Sequence, residues 1–408
     1  AFLFLLTGVW SAPSAVAQTG PGGVGVDDGT SNLQLWMRAD NITGLPDGAF
    51  VNTWPDASGY GYDAAQADDA LAPIYRSSEL NSRPTVEFGG PDGAFDGTPD
   101  EMDGTFSTAT AGTVTYFVVG NNDAVTADDG GSGTGTSRRA LAAFDGGLAS
   151  GADNRIFLED TVANYYDGSG ERTGGSISQG DFVFFDITHD GSSIDGRLFG
   201  DNIVSVSGNS SGALDNYLLG NDQTGGDNLD GNLAEVIVFD RVLNEAERLI
   251  VQNYLSTKYN LSFTTSSNDK YRFDTNHGSD VAGIGQTSGE SHTDAQSAAL
   301  RISNPASLSN GDFLLFGHDD QTFSLPNTSE RPNGDNSAQK VQREWRVDLT
   351  GASTQTVDVE VDLSSLSLPS GLNDYALFVD SDGDFTSGAT FYDLDASGQA
   401  TGVVLGDG

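Results

Sequence analysis

The sequence predicts an all-β protein made of two consecutive sandwich-like domains, and three observations lead to this prediction. Apolar runs of about four to eight residues recur from residue 33 onward, rich in aromatic and β-branched side chains and bounded by Gly, Asp, Asn and Ser. Helical segments do not alternate with these runs, which disfavours a parallel βαβ sheet. Many short strands at modest spacing are typical of a sandwich or jelly roll.

Composition narrows the functional classes before any motif is considered. The chain has 408 residues, with 18 Lys and Arg against 59 Asp and Glu, and a formal net charge of −41. Such a surface repels phosphate backbones, so no nucleic-acid partner is expected. The lack of Cys excludes disulfides, thiolate metal sites and cysteine nucleophiles. The acidity fits either saline or calcium-rich surroundings, where screening relieves self-repulsion, or simple solubility.

The N-terminal segment is predicted to be a signal peptide. Residues 1–10 are apolar but too short to span a bilayer, and residues 15–17 (Ala-Val-Ala) fit the small-x-small cleavage rule. Residues 1–17 are therefore interpreted as an incomplete signal peptide, since Met and a basic region are missing. The protein is expected to be secreted or to lie at the cell surface. No later window has 18 consecutive apolar residues, so no membrane span is expected.

The first domain is predicted to consist of strands followed by one closing helix. Residues 244–259 depart from the strand pattern, because Asn244 can cap a helix and Glu247 completes a capping box. Lys258 lies in the last turn, where the helix dipole favours a cation. The predicted packing stripe of this helix is Ala246, Leu249, Ile250 and Tyr254. The clearest strands are residues 33–37, 113–119, 181–187 and 233–239.

A second block of strands follows the helix. Residues 313–316 form a buried apolar run, and residues 344–349 alternate Trp, Val and Leu with Arg and Asp. Residues 356–363 alternate strictly, with three valines on one side and three acids on the other. Such period-2 strands have one buried face and one solvated face, as in an antiparallel sheet.

Two segments carry a resemblance to a known family. Residues 36–40 (WMRAD) and 54–66 (WPDASGYGYDAAQ) resemble the opening elements of bacterial laminin-G-like jelly-roll domains. Residues 231–259 resemble the closing strand and helix of the same domains. The resemblance implies a concanavalin A-like lectin/glucanase sandwich over residues 18–262.

The rest of the chain is similar to an uncharacterised β-rich domain that often follows such jelly rolls. The similarity rests on residues 280–286 (DVAGIGQ), 313–318 (FLLFGH) and 343–347 (REWRV). It implies a β-rich domain of unknown function over residues 263–408, truncated at its end, in a secreted bacterial surface protein. It implies no catalytic residues.

Catalytic signatures are weak. Retaining glucanases of the concanavalin A-like fold place two carboxylates about 5 Å apart, in an E-x-D-x-x-E strand pattern that this sequence lacks. The four histidines have no partner at zinc-motif spacing. His189, within Thr-His-Asp-Gly, is expected on a surface turn. Trp36 and Trp54 are interpreted as core residues rather than sugar-stacking ones.

The best candidate site is the segment 380–385 (DSDGDF). Asp380, Asp382 and Asp384 alternate on a Gly-containing turn, which brings together the hard oxygen ligands that Ca²⁺ prefers. The distal Glu of an EF-hand is missing, because its position is occupied by Phe391. An ordinary acidic turn between two strands fits the same residues. A weaker acidic cluster, interpreted as a solvated loop, is Asp222, Asp227 and Asp230.

These observations predict a secreted, non-catalytic surface protein that serves adhesion or recognition of an extracellular glycan or protein, with calcium as a stabilising ion. Two alternatives stay open. One is an accessory module or degenerate member of a secreted glycan-degrading enzyme. The other is a structural spacer or surface-assembly subunit. Close carboxylates in a cleft would favour the enzyme, and an exposed aromatic patch would favour binding.

Overall fold

The computed structural model describes residues 17–89, 100–107, 112–123, 138–145, 154–159, 161–167, 170–208, 214–221, 228–325, 339–364, 366 and 375–407. Strands dominate these residues, which confirms the all-β fold class. Residues 1–16, most of the predicted signal peptide, lie outside the described part. Among the described helices, none has the length and apolar character needed to cross a membrane.

The first sandwich consists of two antiparallel sheets, each with eight strands. Its strands are β1 (Leu33–Arg38), β2 (Thr53–Trp54), β3 (Ala64–Ala65), β4 (Ile74–Leu80), β5 (Arg83–Phe88), β6 (Met102–Thr105), β7 (Val114–Gly120), β8 (Arg138–Asp145), β9 (Asn154–Glu159), β10 (Val162–Tyr166), β11 (Glu171–Ser176), β12 (Val183–His189), β13 (Ser193–Leu198), β14 (Asp201–Ser207), β15 (Asn216–Leu219) and β16 (Gly231–Phe239). One sheet has the order β14-β13-β12-β7-β16-β5-β4, with β1 also paired to β16. The other has the order β11-β10-β9-β8-β15-β6-β3-β2.

The core of the first sandwich lies between these two sheets. Large aromatic side chains fill it, and the rings of Tyr116 and Phe144 stack with centroids 4.6 Å apart. Trp54 is fully buried in this core, and Trp36, on the outer face of the other sheet, is 5% exposed. The interpretation of both tryptophans as packing residues is therefore confirmed.

Helix α1 (Glu245–Tyr259) covers the outer face of the sheet that contains β16. The side chain of Asn244 accepts a hydrogen bond from the Glu247 amide, and the Glu247 carboxylate accepts one from the Asn244 amide, so the predicted capping box is confirmed. Of the predicted stripe, Ala246, Ile250 and Tyr254 are buried, whereas Leu249 is half-buried.

Helix α1 also contacts the second domain. The apolar cluster around it contains Phe117 and Ile237 from the first sandwich together with Val281 and Leu315 from the strands that follow. His292, beyond the helix, lies with Nε2 2.8 Å from the backbone oxygen of Gly23. The helix therefore packs between the two domains, and burial on both of its sides stabilises their junction.

The second domain is a smaller sandwich of two four-stranded antiparallel sheets. After the short helix α2 (Asp274–His277), its strands are β17 (Ser279–Thr287), β18 (Glu290–His292), β19 (Asp294–Ser297), β20 (Leu300–Ser303), β21 (Phe313–His318), β22 (Trp345–Thr350), β23 (Thr354–Val361), β24 (Tyr375–Val379), β25 (Thr390–Leu394) and β26 (Gln399–Gly406). One sheet has the order β18-β17-β21-β22, and the other has the order β19-β20-β23-β26. Strands β24 and β25 pair with each other as a separate two-stranded sheet.

The alternating pattern of β23 is confirmed, since Val357 and Val359 are buried and Asp358 and Glu360 are half-buried. In β22 the prediction is wrong at one position. Asp348 was expected on the solvated face but is buried, because the residues before α2 lie over it and the Arg272 amide donates to its carboxylate at 2.7 Å.

Candidate functional site

A cleft of about 670 Å³ opens in the second sandwich, beside β22 and the β24–β25 hairpin. Its volume falls within the range of about 300–1,000 Å³ typical of ligand pockets. The face of one sheet forms the floor of the cleft, and the edges of two strands form its side walls.

The floor is a face of the sheet β19-β20-β23-β26. On β20 and β23 alternate residues line the cleft, namely Leu300 and Ile302 of β20 and Val359 and Val361 of β23. Leu405 and Gly406 at the end of β26 also line it. Successive side chains of a strand point to opposite faces of the sheet, so alternate lining residues mean that the flat face of the sheet contacts the cleft. This floor is apolar throughout these strands.

The walls are strand edges rather than faces. Consecutive residues of β22, 345–347, line the cleft, and so do all five residues of β24. Neighbouring residues on a strand can both line one cavity only when the cavity runs along the edge of the strand, where the backbone lies. Within the described part of the chain, β22 pairs only with β21, and β24 pairs only with β25.

Aromatic side chains and cations stand at the mouth of the cleft. The ammonium of Lys340 lies 4.4 Å from the centroid of the Phe385 ring. Arg343 donates from Nε to the backbone oxygen of Gln321 at 2.8 Å and lies 6.0 Å from the centroid of Trp345. These cation–aromatic contacts hold the charged heads beside apolar surfaces.

The charge of the cleft departs from that of the whole chain. Among its described lining residues are three of the 18 Lys and Arg residues but only two of the 59 Asp and Glu residues. The cations are Lys340, Arg343 and Arg346, and the acids are Glu344 and Asp380. The described lining is thus close to neutral in a strongly acidic protein, and the exposed Asp382 and Asp384 lie next to it.

The predicted calcium turn borders this cleft. Asp380 lines it, and Asp382 and Asp384 follow in the exposed connection from β24 to β25, as the sequence predicted. Asp380 Oδ1 accepts hydrogen bonds from the amides of Asp382, at 2.8 Å, and Gly383, at 2.9 Å. Asp382 Oδ1 accepts from the Asp384 amide at 2.9 Å. The three carboxylates therefore organise their own turn.

No group of three His, Asp or Glu side chains in ion-holding geometry occurs among the described residues. Calcium at Asp380, Asp382 and Asp384 stays a prediction. Of the weaker cluster, Asp222 and Asp227 lie outside the described residues, and Asp230 is buried rather than solvated.

The two acids of the cleft are both engaged. Glu344 pairs with Lys340. Hydrogen bonds from backbone amides, the Asp382 amide foremost, lower the pKa of Asp380 below its ordinary value. His277, at the rim, has its pKa lowered by burial, and its Nδ1 is buried without a hydrogen-bond partner among the described residues. The expectation for the other histidine was wrong: His189 is fully buried at the end of β12, because the strand extends through it.

Sequence reasoning also missed a buried polar cluster below α1. The Glu235 carboxylate, fully buried, accepts hydrogen bonds from Trp36 Nε1 at 2.6 Å, Tyr254 OH at 3.0 Å, Tyr259 OH at 2.8 Å and Lys258 Nζ at 2.8 Å. Its only sequence signal is an acid within an otherwise apolar strand. Because all four donors bond to the same buried carboxylate, we interpret this cluster as a hydrogen-bond network that stabilises the fold.

Comparisons with known proteins leave the function open. Residues 247–408, beginning within α1, match the model of a family described as "Domain of unknown function (DUF8202)". No curated protein matches the chain.

Among solved structures, the chain is similar to Trypanosoma rangeli sialidase in complex with the inhibitor DANA, with 13% identity, 55% of this chain and 33% of that chain covered, and a TM-score of 0.36. It is also similar to a heptameric SAP-like pentraxin from Limulus polyphemus, with 11% identity, 41% and 79% coverage, and a TM-score of 0.31. Domain 4 of AbnA, a GH43 extracellular arabinanase from Geobacillus stearothermophilus, has 10% identity, 54% and 96% coverage, and a TM-score of 0.34.

The chain spans about a third of the length of the sialidase that it matches. At these identities and TM-scores, the similarities support no conclusion about activity or ligand. The all-β assignment depends instead on the sheets themselves.

Proposed function

We propose that this chain is an exported, non-catalytic recognition protein that binds an extracellular glycan or protein in the cleft of its second sandwich. The observation that carries the proposal is the cleft itself, with an apolar floor, aromatic residues at its mouth and a lining that is close to neutral in a strongly acidic chain. An open apolar concavity with a few convergent polar groups is the usual form of a binding site. Export is supported by the signal-peptide pattern of residues 1–17.

The chemistry of the cleft supports binding rather than hydrolysis. A glycosidase needs one carboxyl group that stays protonated near neutral pH, which requires a raised pKa. The lowered pKa of Asp380 is the opposite of this requirement. The Glu344 carboxylate is already engaged in an ion pair with Lys340. The absence of an E-x-D-x-x-E pattern in the sequence points in the same direction.

In this proposal the first sandwich supports the second. Helix α1 packs between the outer faces of the two sandwiches and thereby anchors the second domain to the first. Calcium at the turn 380–384 would stabilise the wall of the cleft at the point where β24 ends. The support from the first sandwich and the stabilisation by calcium are both consistent with a surface protein whose binding cleft is exposed to solvent.

The proposal is tested by measuring binding of residues 18–408 to immobilised polysaccharides and extracellular proteins. Trp345→Ala and Tyr375→Ala each remove a cleft aromatic, and we expect each to weaken binding by at least about fivefold, which is about 1 kcal/mol, since Trp and Tyr are enriched among the residues that dominate binding energy. Phe391→Ala is the matched control, because Phe391 is 59% exposed on the neighbouring strand and does not line the cleft.

Equal losses in Phe391→Ala and the cleft variants, or unchanged binding in both cleft variants, would overturn the proposal. Hydrolysis of a polysaccharide by the purified chain would favour the enzyme alternative. Circular dichroism and thermal unfolding of each variant verify that it is folded. Failure to bind any member of the panel would favour a structural spacer.

A further inference from the structure

Lysine is rare in this chain, and one of its three lysines is almost enclosed. Lys258, in the last turn of α1, has a side chain that is 9% exposed. Its Nζ lies 2.8 Å from Glu235 Oε2 and 3.2 Å from each of the two carboxylate oxygens of Asp40. A single amine thus contacts two carboxyl groups, one of which, that of Glu235, is fully buried.

Aromatic side chains surround this amine. Nζ of Lys258 lies 5.4 Å from the ring centroid of Tyr254 and 5.2 Å from that of Tyr259. Trp36 Nε1 donates to the Glu235 carboxylate from another side, at 2.6 Å. In such surroundings a proton can move between neighbouring groups without the rearrangement of a hydration shell.

We infer that Lys258 and Asp40 form an intramolecular amide cross-link, with Glu235 as the catalytic base. The Lys258 amine attacks Cγ of Asp40, a C–N bond forms, one C–O bond of the carboxyl group breaks, and the oxygen leaves as water. An ammonium and a carboxylate together contain the atoms of one amide and one water molecule, so the step needs no oxidant, reductant or further reactant. The inference is independent of the cleft and of the recognition function proposed for it.

Two neighbours of the reacting pair assist the step. Glu235 takes a proton from Nζ, which makes the amine nucleophilic, and returns it to the departing oxygen. Arg38 Nε lies 3.9 Å from Asp40 Oδ1, where its charge stabilises the oxyanion that develops during the attack. Burial opposes ionisation of Asp40, but Lys258 and Arg38 outweigh it and lower its pKa. The ion pair is therefore the starting state, and proton transfer through Glu235 converts it into an amine and a carboxyl group.

The position of the pair gives the cross-link a purpose. Asp40 follows β1, near the start of the first sandwich, and Lys258 lies at the end of α1, 218 positions later. The amide would therefore close a loop that spans nearly the whole first sandwich. Closing a long loop stabilises a fold by restricting the unfolded chain. Because the sequence has no Cys, no disulfide can do so here.

The test is the intact mass of residues 18–408, measured by mass spectrometry under denaturing conditions. We expect the protein to be lighter than its sequence by one water molecule, and a tryptic digest to contain a branched peptide that joins Lys258 to Asp40. Lys258→Arg, which keeps the charge, and Asp40→Ala should each restore the full sequence mass, and Glu235→Gln should reduce the cross-linked fraction severalfold. Lys340→Arg is the matched control, since Lys340 forms an ion pair with Glu344 in the second domain, and it should retain the loss of water.

Three results would overturn the cross-link. The first is a native protein at its full sequence mass, a result that requires no variant to fold. The second is a loss of water that persists in Lys258→Arg, which would indicate dehydration elsewhere, such as a succinimide at an Asp-Gly sequence. The third is a branched peptide that joins other residues. Complete cross-linking in Glu235→Gln would overturn the role of Glu235 as the base.

Failure of this inference and failure of the proposed function are distinguishable, because the mass is measured without any ligand. A native protein at full mass that binds in the cleft would refute the cross-link alone. A cross-linked protein whose binding is unchanged by Trp345→Ala and Tyr375→Ala would refute the recognition function alone.

Discussion

The two sandwiches of this protein differ in how completely they are closed. In the first, two eight-stranded sheets enclose a core of fully buried side chains, and α1 covers one outer face. In the second, two four-stranded sheets and a separate hairpin leave a cleft, and residues such as Trp345, Val347 and Leu377 are only half-buried. An enclosed core contributes to stability, whereas an open cleft offers apolar surface against which a ligand can pack.

The two sandwiches also differ in where their charged groups lie. In the first sandwich, buried charges are paired inside the fold: Glu235 holds Lys258, and Asp186 holds Arg248. In the second, the cations of residues 340–346 stand at the open mouth of the cleft. Four experiments probe this contrast between a closed and an open sandwich.

The largest effect is expected from Glu235→Leu. This change removes the common acceptor of four buried donors and leaves Lys258, whose side chain is 9% exposed, without its buried partner. We expect the free energy of unfolding in urea to fall by about 3–5 kcal/mol. Glu79→Gln, at an exposed position of the same sandwich, is the control and should change it by less than about 0.5 kcal/mol. If Glu235→Leu lowers the free energy of unfolding by less than about 1 kcal/mol, instead of the expected 3–5 kcal/mol or so, the network does not stabilise the fold.

A matched pair of leucines compares the two cores directly. Leu233, fully buried in β16, should lose about 2–5 kcal/mol of stability on substitution by Ala, because a cavity remains in a closed core. Leu377, half-buried beside the cleft, should lose distinctly less on the same substitution, because little apolar surface is removed from the interior. Denaturant unfolding measures both. Equal losses would mean that the cleft is closed in solution.

Acid should weaken the junction between the sandwiches. Burial opposes ionisation of Glu247, but hydrogen bonds from His292 and Arg241 outweigh it and lower its pKa from 4.5 to about 2. A carboxyl group whose pKa is lower in the folded than in the unfolded state stabilises the fold at pH values above its unfolded pKa. This stabilisation, about 3 kcal/mol, disappears as the pH falls from about 4.5 to about 2. Unfolding measured across this range should be steeper in the native protein than in Glu247→Gln. Glu245→Gln is the control, and an unchanged slope in Glu247→Gln would contradict the assignment.

The smallest effect concerns calcium. If Asp380, Asp382 and Asp384 bind Ca²⁺, calcium should raise the unfolding midpoint by a few degrees at fixed ionic strength, since a ligand that binds only the folded state stabilises it. Asp382→Ala should abolish this rise, whereas Asp269→Ala, in the segment that precedes α2, should preserve it. A rise produced equally by NaCl would mean that screening of surface acids is responsible and would remove the metal site.

Local patterns predicted the long helix and the clearest strands of the fold. The capping box of Asn244 and Glu247 located α1, and strict alternation in β23 separated its buried valines from its acids. Such features depend on neighbours within one turn or one strand, so they are visible in the sequence. His189 and Asp348 were misplaced for the opposite reason: a strand extension and a distant backbone segment buried them.

The cleft itself was hardly predictable. Its floor and walls come from β20, β22, β23 and β24, and nothing in these strands distinguishes a face that lines a cleft from one that packs in a core. The turn 380–385 was recognised as a candidate site, but its position beside the cleft was not. The sequence likewise did not indicate that Glu235 has four hydrogen-bond partners, three of which lie on α1.

The sequence by itself determined the all-β class, the position of the one long helix, the strongly acidic surface and the exclusion of cysteine chemistry, because composition and short-range periodicity contain this information. The tertiary structure alone decided which strands border the cleft, which charges meet there and how α1 packs between the two sandwiches. These features arise from contacts between residues far apart in the chain. The free energy of such contacts depends on the packing of whole sheets, which no local pattern specifies.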